Sequence, residues 1–207
     1  MKVLLLNGSP HEHGCTATAL GEMETVFAAE GIETERVWIG NRAVGGCIGC
    51  NVCAKLGKCA FDGGVNEFVE KAKTADGFIF GSPVHYAAAS GNITSFLDRV
   101  FYSAPAETFR YKPAAAIVSA RRGGTTAAFD QLNKYMTISQ MPIVSSCYWN
   151  QVHGAAAEEV LRDEEGVRCV RVLAHNMAWL LRCIDAGHRA GVAMPLSEPP
   201  ARTNFIR

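Results

Sequence analysis

The stretch Lys2-Val3-Leu4-Leu5-Leu6-Asn7-Gly8-Ser9-Pro10-His11-Glu12-His13-Gly14-Cys15-Thr16 decides how this chain folds. Its first part is a short apolar run stopped at once by Asn7, Gly8, Ser9 and Pro10, as a strand buried on both faces reads. From Thr16 to about Glu30 the apolar positions Ala19, Leu20, Met23, Val26 and Phe27 recur at three- and four-residue spacing. That is an amphipathic helix, closed by Gly31. A strand therefore feeds a helix through a loop rich in small and polar residues.

The same alternation continues outward. Ile32 to Ile39 reads as a second strand, with Thr34, Val37 and Ile39 supplying β-branched residues. Val65 to Ala75 reads as a helix, and Gly77 to Phe80 as a third buried strand ending in Gly81-Ser82-Pro83. Ser90 to Tyr102 is helical in pattern, Ala114 to Ser119 is a fourth strand, and a helix runs from about Thr125 to Ser139. Met141 to Ser146 is the expected fifth strand. Ala156 to Ala186 is helical, with an expected break near Gly166. Five strands alternating with helices imply an α/β fold, a doubly wound parallel sheet covered on both faces, with few allowed topologies. The 207 residues are read as one domain with a Cys- and Gly-rich insertion at about 40–63.

Composition narrows the function classes. Twenty basic and 20 acidic residues give a formal net charge of zero, against a broadly cationic surface for nucleic acid. No apolar run approaches the roughly 18 to 20 residues that cross a bilayer, and Val3 to Leu6 is too short for a signal-peptide core. A soluble, cytoplasmic protein with no nucleic-acid or membrane partner is expected.

Ligands of such sheets bind beyond the carboxyl ends of the strands, where the strand order reverses. The loops after strands one, three, four and five should therefore converge. In the first loop, Ser9, Thr16 and the amides near Gly14 and Cys15 could hold a phosphate. The alternative is a capped turn with Thr16 as N-cap. Cys15 stands at a helix start, which lowers a thiol pKa and can make it reactive. The third loop, Gly81 to Gly91, is small and apolar and suits a flat aromatic ring, or else is a tight turn in which Tyr86 packs. The fourth, Ala120-Arg121-Arg122-Gly123-Gly124-Thr125, couples close backbone approach to two guanidinium groups.

Eight cysteines lie at 15, 47, 50, 53, 59, 147, 169 and 183. Four of them form Cys47-x2-Cys50-x2-Cys53-x5-Cys59, a spacing that can surround one iron–sulfur cubane. A tetrahedral zinc site or buried thiols are the alternatives. Cys147, Cys169 and Cys183 read as core residues.

Leu6-Asn7-Gly8-Ser9-Pro10 with Thr16, Gly81-Ser82-Pro83-Val84, and Ser90-Gly91-Asn92-Ile93 leading to Phe96-Leu97-Asp98-Arg99 resemble the NADPH-dependent FMN reductases, a flavodoxin-like family. The four clustered cysteines resemble its iron–sulfur flavoprotein branch, and Tyr148 to Gly154 resembles a loop of the same reductases. The resemblance implies a flavodoxin-like five-stranded sheet of order 2-1-3-4-5. It places Ser9, His11, Cys15 and Thr16 around an FMN phosphate and Pro83, Val84, His85 and Tyr86 along the isoalloxazine. Ala120, Arg121, Gly123 and Gly124 would close over the other end of the ring. It implies a [4Fe-4S] cluster on Cys47, Cys50, Cys53 and Cys59, although related reductases carry a similar loop with no cluster. His11 stands where the family usually has Arg, Cys15 where it has Asn, and the acidic pair after the last cysteine is reduced to Asp62.

The activity so implied is transfer of electrons from NADPH or NADH through FMN to a quinone, flavin or other small-molecule acceptor. No acid or base is required for hydride transfer between stacked rings, and no catalytic side chain stands out. Arg121 or Arg122 would favour the 2′-phosphate of NADPH. The alternative is an electron carrier passing electrons from ferredoxin through the cluster to FMN without NAD(P)H. A homodimer or homotetramer is implied, with Tyr148, Trp149 and the terminal helix as candidate surfaces.

Overall fold

The computed structural model describes residues 1–196, 198, 201 and 203–205. The opening stretch forms β1 (Lys2–Asn7) and α1 (Cys15–Ala29), and the chain turns at Gly31 into β2 (Glu33–Trp38). The cysteine-rich connection holds only a four-residue helix, α2 (Cys53–Leu56). Then come α3 (Val65–Thr74), β3 (Gly77–His85), the two-residue β4 (Ala88–Ala89) and α4 (Gly91–Ser103). β5 (Ala114–Ala120), α5 (Thr125–Ile138), β6 (Gln151–His153), α6 (Ala157–Val160) and α7 (Glu164–Arg189) complete the order. No helix among the described residues is long and apolar enough to cross a membrane.

The sheet runs β2-β1-β3-β5-β6 with every one of these pairings parallel. The chain winds from β1 out to β2, then returns to build the other side from β3, so the topological switch lies between β1 and β3. Alternating side chains split the core in two. Leu4, Leu6, Phe78, Phe80, Ala116 and Val118 join α3, α4 and α5 through Phe68, Phe96 and Leu132. Val3, Leu5, Ile79, Ala115 and Ile117 join α1 and α7 through Leu20, Phe27, Leu173 and Met177. Apolar residues on both sheet faces, capped by helices on each, explain the continuous hydrophobic runs in the sequence.

Three elements differ from the sequence expectation. The edge strand is not Met141–Ser146. That segment makes one parallel bridge, Ile143 to Ala114, with Ala114 N–H donating to Pro142 O and Val144 N–H to Ala114 O. The chain then leaves the sheet and returns as β6 against Val118–Ala120. The break in the terminal helices falls at 161–163 rather than at Gly166, because Asp163 caps α7 by accepting from Gly166 N–H at 3.0 Å. A Cβ at Gly166 would collide with the Asp163 carboxylate and stand 2.9 Å from Gln151 O, so this glycine sits inside the first turn for lack of room. Finally, β3 overruns Phe80 to His85 and folds back through Tyr86 (φ 49°) and Ala87 (φ 56°) onto β4. Two consecutive positive φ values mark a type I′ hairpin, built here without glycine.

Candidate cofactor site

The carboxyl ends of the strands enclose an open cleft of about 800 Å³ at the switch point. Its floor is the loop after β1, which side chains fold into shape. Buried Asn7 accepts from Ser9 N–H at 3.1 Å and donates to Glu12 O at 3.1 Å, while the Ser9 hydroxyl accepts from His11 N–H at 3.1 Å. The loop delivers Gly14 as the N-cap of α1, with no side chain capping the helix. The first-turn amides of a helix have no internal partner. Here they open beside Gly14, Cys15 and Thr16 onto the cleft, a seat for a phosphate. Thr16 is thus inside the helix, not its N-cap. Its hydroxyl shares a buried 2.8 Å hydrogen bond with Ser119 of β5. A Cβ at Gly81 would lie 2.8 Å from Thr16 Cγ2 and 3.2 Å from Leu6 O, so glycine there lets α1 start this close to the sheet.

Of the residues expected to hold a cofactor, Ser9, His11, Cys15, Thr16, Pro83, Val84, Ala120 and Arg121 line the cleft. His85, Tyr86, Gly123 and Gly124 do not. Tyr86 is wholly exposed at the hairpin tip. Gly124 (φ 96°) packs loop four onto that hairpin, since a Cβ there would fall 2.7 Å from Ala87 Cα. The cleft also takes in Trp38, Asn41 and 154–157. Trp38, at the end of β2, donates its indole N–H to Ser9 O at 2.8 Å and so pins the loop after β1 from the side. An aromatic residue at the exit of a strand adjoining β1 was the available signal.

Cys15 is not activated. Its thiol donates to Gly154 O at 3.4 Å, and burial pushes its pKa up, with Glu159 and Glu158 adding to the rise against a lowering backbone hydrogen bond. A raised folded-state pKa favours the thiol, so this preference is intact below the ordinary thiol range and is lost as pH climbs through the raised value. Site-mapped alkylation by iodoacetamide at pH 7 should therefore modify Cys15 more slowly than free cysteine, the rate rising only on the alkaline side. Rapid modification at pH 7 contradicts this assignment. Of the three cysteines expected in the core, Cys169 is buried, whereas Cys147 on a loop and Cys183 on the outer side of α7 are exposed.

The four clustered cysteines line a separate hollow with Arg99, Tyr102 and Ser103 of α4. Cys59 is the most firmly held. Its N–H donates to Asn66 Oδ1 at 2.9 Å, its carbonyl accepts from Asn66 Nδ2 at 3.0 Å, and its sulfur accepts from Arg99 Nε at 3.5 Å. Cys53 Sγ donates to Tyr102 O at 3.9 Å. Among the described residues no three His, Cys, Asp or Glu side chains stand close enough for a single metal ion. A cubane takes each thiolate on a separate iron and so spreads its ligands wider than a single ion does. Ser103 also lines the hollow, and its buried hydroxyl has no hydrogen-bond partner among the described residues. Four thiols beside a guanidinium are the donor set of a sulfur-rich anionic cluster, in a hollow of only about 20 Å³ as it stands.

The model of the NADPH-dependent FMN reductase family matches residues 1–156. This chain belongs to that family. As a member it shares 31% identity with an iron–sulfur flavoprotein of Methanocaldococcus jannaschii, over 89% of this chain and 99% of the relative. It shares 27% with an iron–sulfur flavoprotein of Methanosarcina thermophila, over 89% of this chain and 97% of the relative. A flavodoxin from the domain Archaea has the same fold, with a TM-score of 0.60, 12% identity and coverage of 88% of this chain and 99% of its own. The fold is therefore flavodoxin-like and the family one of flavin oxidoreductases.

Proposed function

We propose that the chain is an FMN-dependent oxidoreductase of the iron–sulfur flavoprotein type. It would bind FMN in the cleft and a [4Fe-4S] cluster on Cys47, Cys50, Cys53 and Cys59, and pass electrons to a small-molecule acceptor. The observation that carries this reading is the gathering of all four cysteines on one hollow, beside a separate phosphate-ready cleft in the same chain. The similarity to the iron–sulfur flavoproteins of Methanocaldococcus jannaschii and Methanosarcina thermophila supports it.

FMN supplies a ring that takes up or releases one or two electrons, and the cluster supplies a one-electron centre. The rest is positioning by this chain. The α1 amides, Ser9 and Thr16 would hold the phosphate, and Trp38 keeps their loop in place. Pro83, Val84 and Ala120 would present an apolar wall to the ring. Electron transfer between such groups needs no acid or base, and none is assigned. Tyr148 and Trp149, half exposed and edge to face with centroids 4.6 Å apart, are the surface on which a homodimer or homotetramer would form.

A second reading keeps NADPH or NADH as the electron donor, favoured by Arg121 on the cleft wall. The two readings separate in one anaerobic experiment. Purified protein is assayed for flavin, iron and acid-labile sulfide, then offered NADPH, NADH or reduced ferredoxin. The proposal expects flavin with stoichiometric iron and sulfide, and bleaching of the flavin band by ferredoxin. Flavin alone, bleached by NADPH, would replace it with the second reading. Absence of flavin and cluster together contradicts both.

A further inference from the structure

Arg99 is a cation in an unusual place. It is only 6% exposed, and a buried guanidinium ordinarily meets a carboxylate. Instead its Nη2 donates to the carbonyls of Phe61 and Asp62, its Nη1 to Gly45 O at 3.4 Å, and its Nε to Cys59 Sγ at 3.5 Å. Among the described residues its hydrogen-bonding partners include no carboxylate. Carbonyl dipoles solvate the charge but do not neutralise it, so the group in contact that can become an anion is the Cys59 sulfur. Ser103, one helical turn further along α4, adds the unpartnered buried hydroxyl on the same hollow.

We propose that Arg99 and Ser103 are positioning residues that hold Cys59, the last ligand of the cysteine-rich segment, in place and raise the reduction potential of the cluster it binds. The inference rests on the cluster reading above. The guanidinium ties Gly45 and 61–62 to α4, so both ends of the cysteine-rich segment are fixed from one helix. Its positive charge stabilises the more negative, reduced state of a thiolate-bound centre over the oxidised one. The Ser103 hydroxyl, which has no partner among the described residues, would donate to the same centre when it is bound, acting in the same direction with a smaller, neutral dipole.

The test uses the full chain, reconstituted anaerobically with iron and sulfide, and reads metal content and an optical redox titration. Arg99→Met should take up less iron. In the fraction that loads, at the wild-type midpoint, the reduced-to-oxidised ratio should fall about tenfold, the worth of one charge-assisted hydrogen bond. Arg99→Lys, which keeps the charge but loses the fork, should recover part of that ratio. Ser103→Ala should load fully and fall a few-fold. Should Arg99→Met fail to fold, Arg99→Gln takes its place. A purely structural Arg99 would change loading and stability and leave the potential where it was. Wild-type potential in both the charge-removing Arg99 variant and Ser103→Ala overturns the proposal alone. Wild-type protein that takes up neither iron nor sulfide overturns the cluster reading, and this inference with it.

Discussion

Gly8→Ala lowers FMN affinity by at least about tenfold and destabilises the flavin-free protein by about 1–3 kcal/mol, the usual cost of forcing an extra methyl into a filled core. A Cβ at Gly8 would stand 2.6 Å from both Cβ and Cδ1 of Ile93. Neither side can retreat. Gly8 N–H donates to Gly81 O at 2.8 Å and Gly8 O accepts from the Ser90 hydroxyl at 2.9 Å, so the loop is hydrogen-bonded on both sides. Ile93 is fully buried on α4, whose N-cap is that same Ser90. The methyl must push the phosphate loop off α4, and Ser9 and the start of α1 move with it. Fluorescence titration with FMN and urea unfolding check the two effects separately. Affinity within twofold of wild type would show that this loop does not carry the phosphate.

Cys59→Ala separates the two centres. Cys59 is the cysteine held at its N–H, its carbonyl and its sulfur, and alanine removes the ligand while leaving the Asn66 clasp on the backbone. Iron and sulfide after anaerobic reconstitution should fall below about a tenth of wild type, because three thiolates leave one iron open to solvent and exchange. FMN stoichiometry should stay at the wild-type value, since no residue of the hollow lines the flavin cleft. Stability should drop by about 1–3 kcal/mol as the near-buried Arg99 loses an acceptor. Retention of the full iron content would exclude Cys59 as a ligand.

The layout of the sheet was legible because β1, β3 and β5 are apolar on both faces, and the first two run into Gly, Ser and Pro. The edge strand was not. Ile143 and Val144 carry the β-branched signal, yet they meet β5 only at its first residue, while the paired segment Gln151-Val152-His153 has one apolar residue in three. Length and periodicity cannot distinguish so short a strand from a loop. At the site, most of the expected residues line the cleft: Ser9, His11, Cys15 and Thr16 from the first loop and the start of α1, Pro83 and Val84 from β3, and Ala120 at the end of β5. His85 and Tyr86 do not, because the Tyr86–Ala87 turn at the end of β3 reverses the chain and leaves them outside. Trp38 and Arg99 act across sequence gaps of 29 and 40 residues, on Ser9 and Cys59. No local pattern encodes such contacts.

Binding of FMN against binding of riboflavin, measured by calorimetry on flavin-free protein, tests the central claim most directly. The two ligands share the ring and differ by the phosphate that the α1 amides, Ser9 and Thr16 are proposed to receive. One FMN should bind per chain, with riboflavin at least about a hundredfold weaker, the worth of two charge-assisted hydrogen bonds. Equal affinity for the two, or no uptake of FMN, would contradict the account.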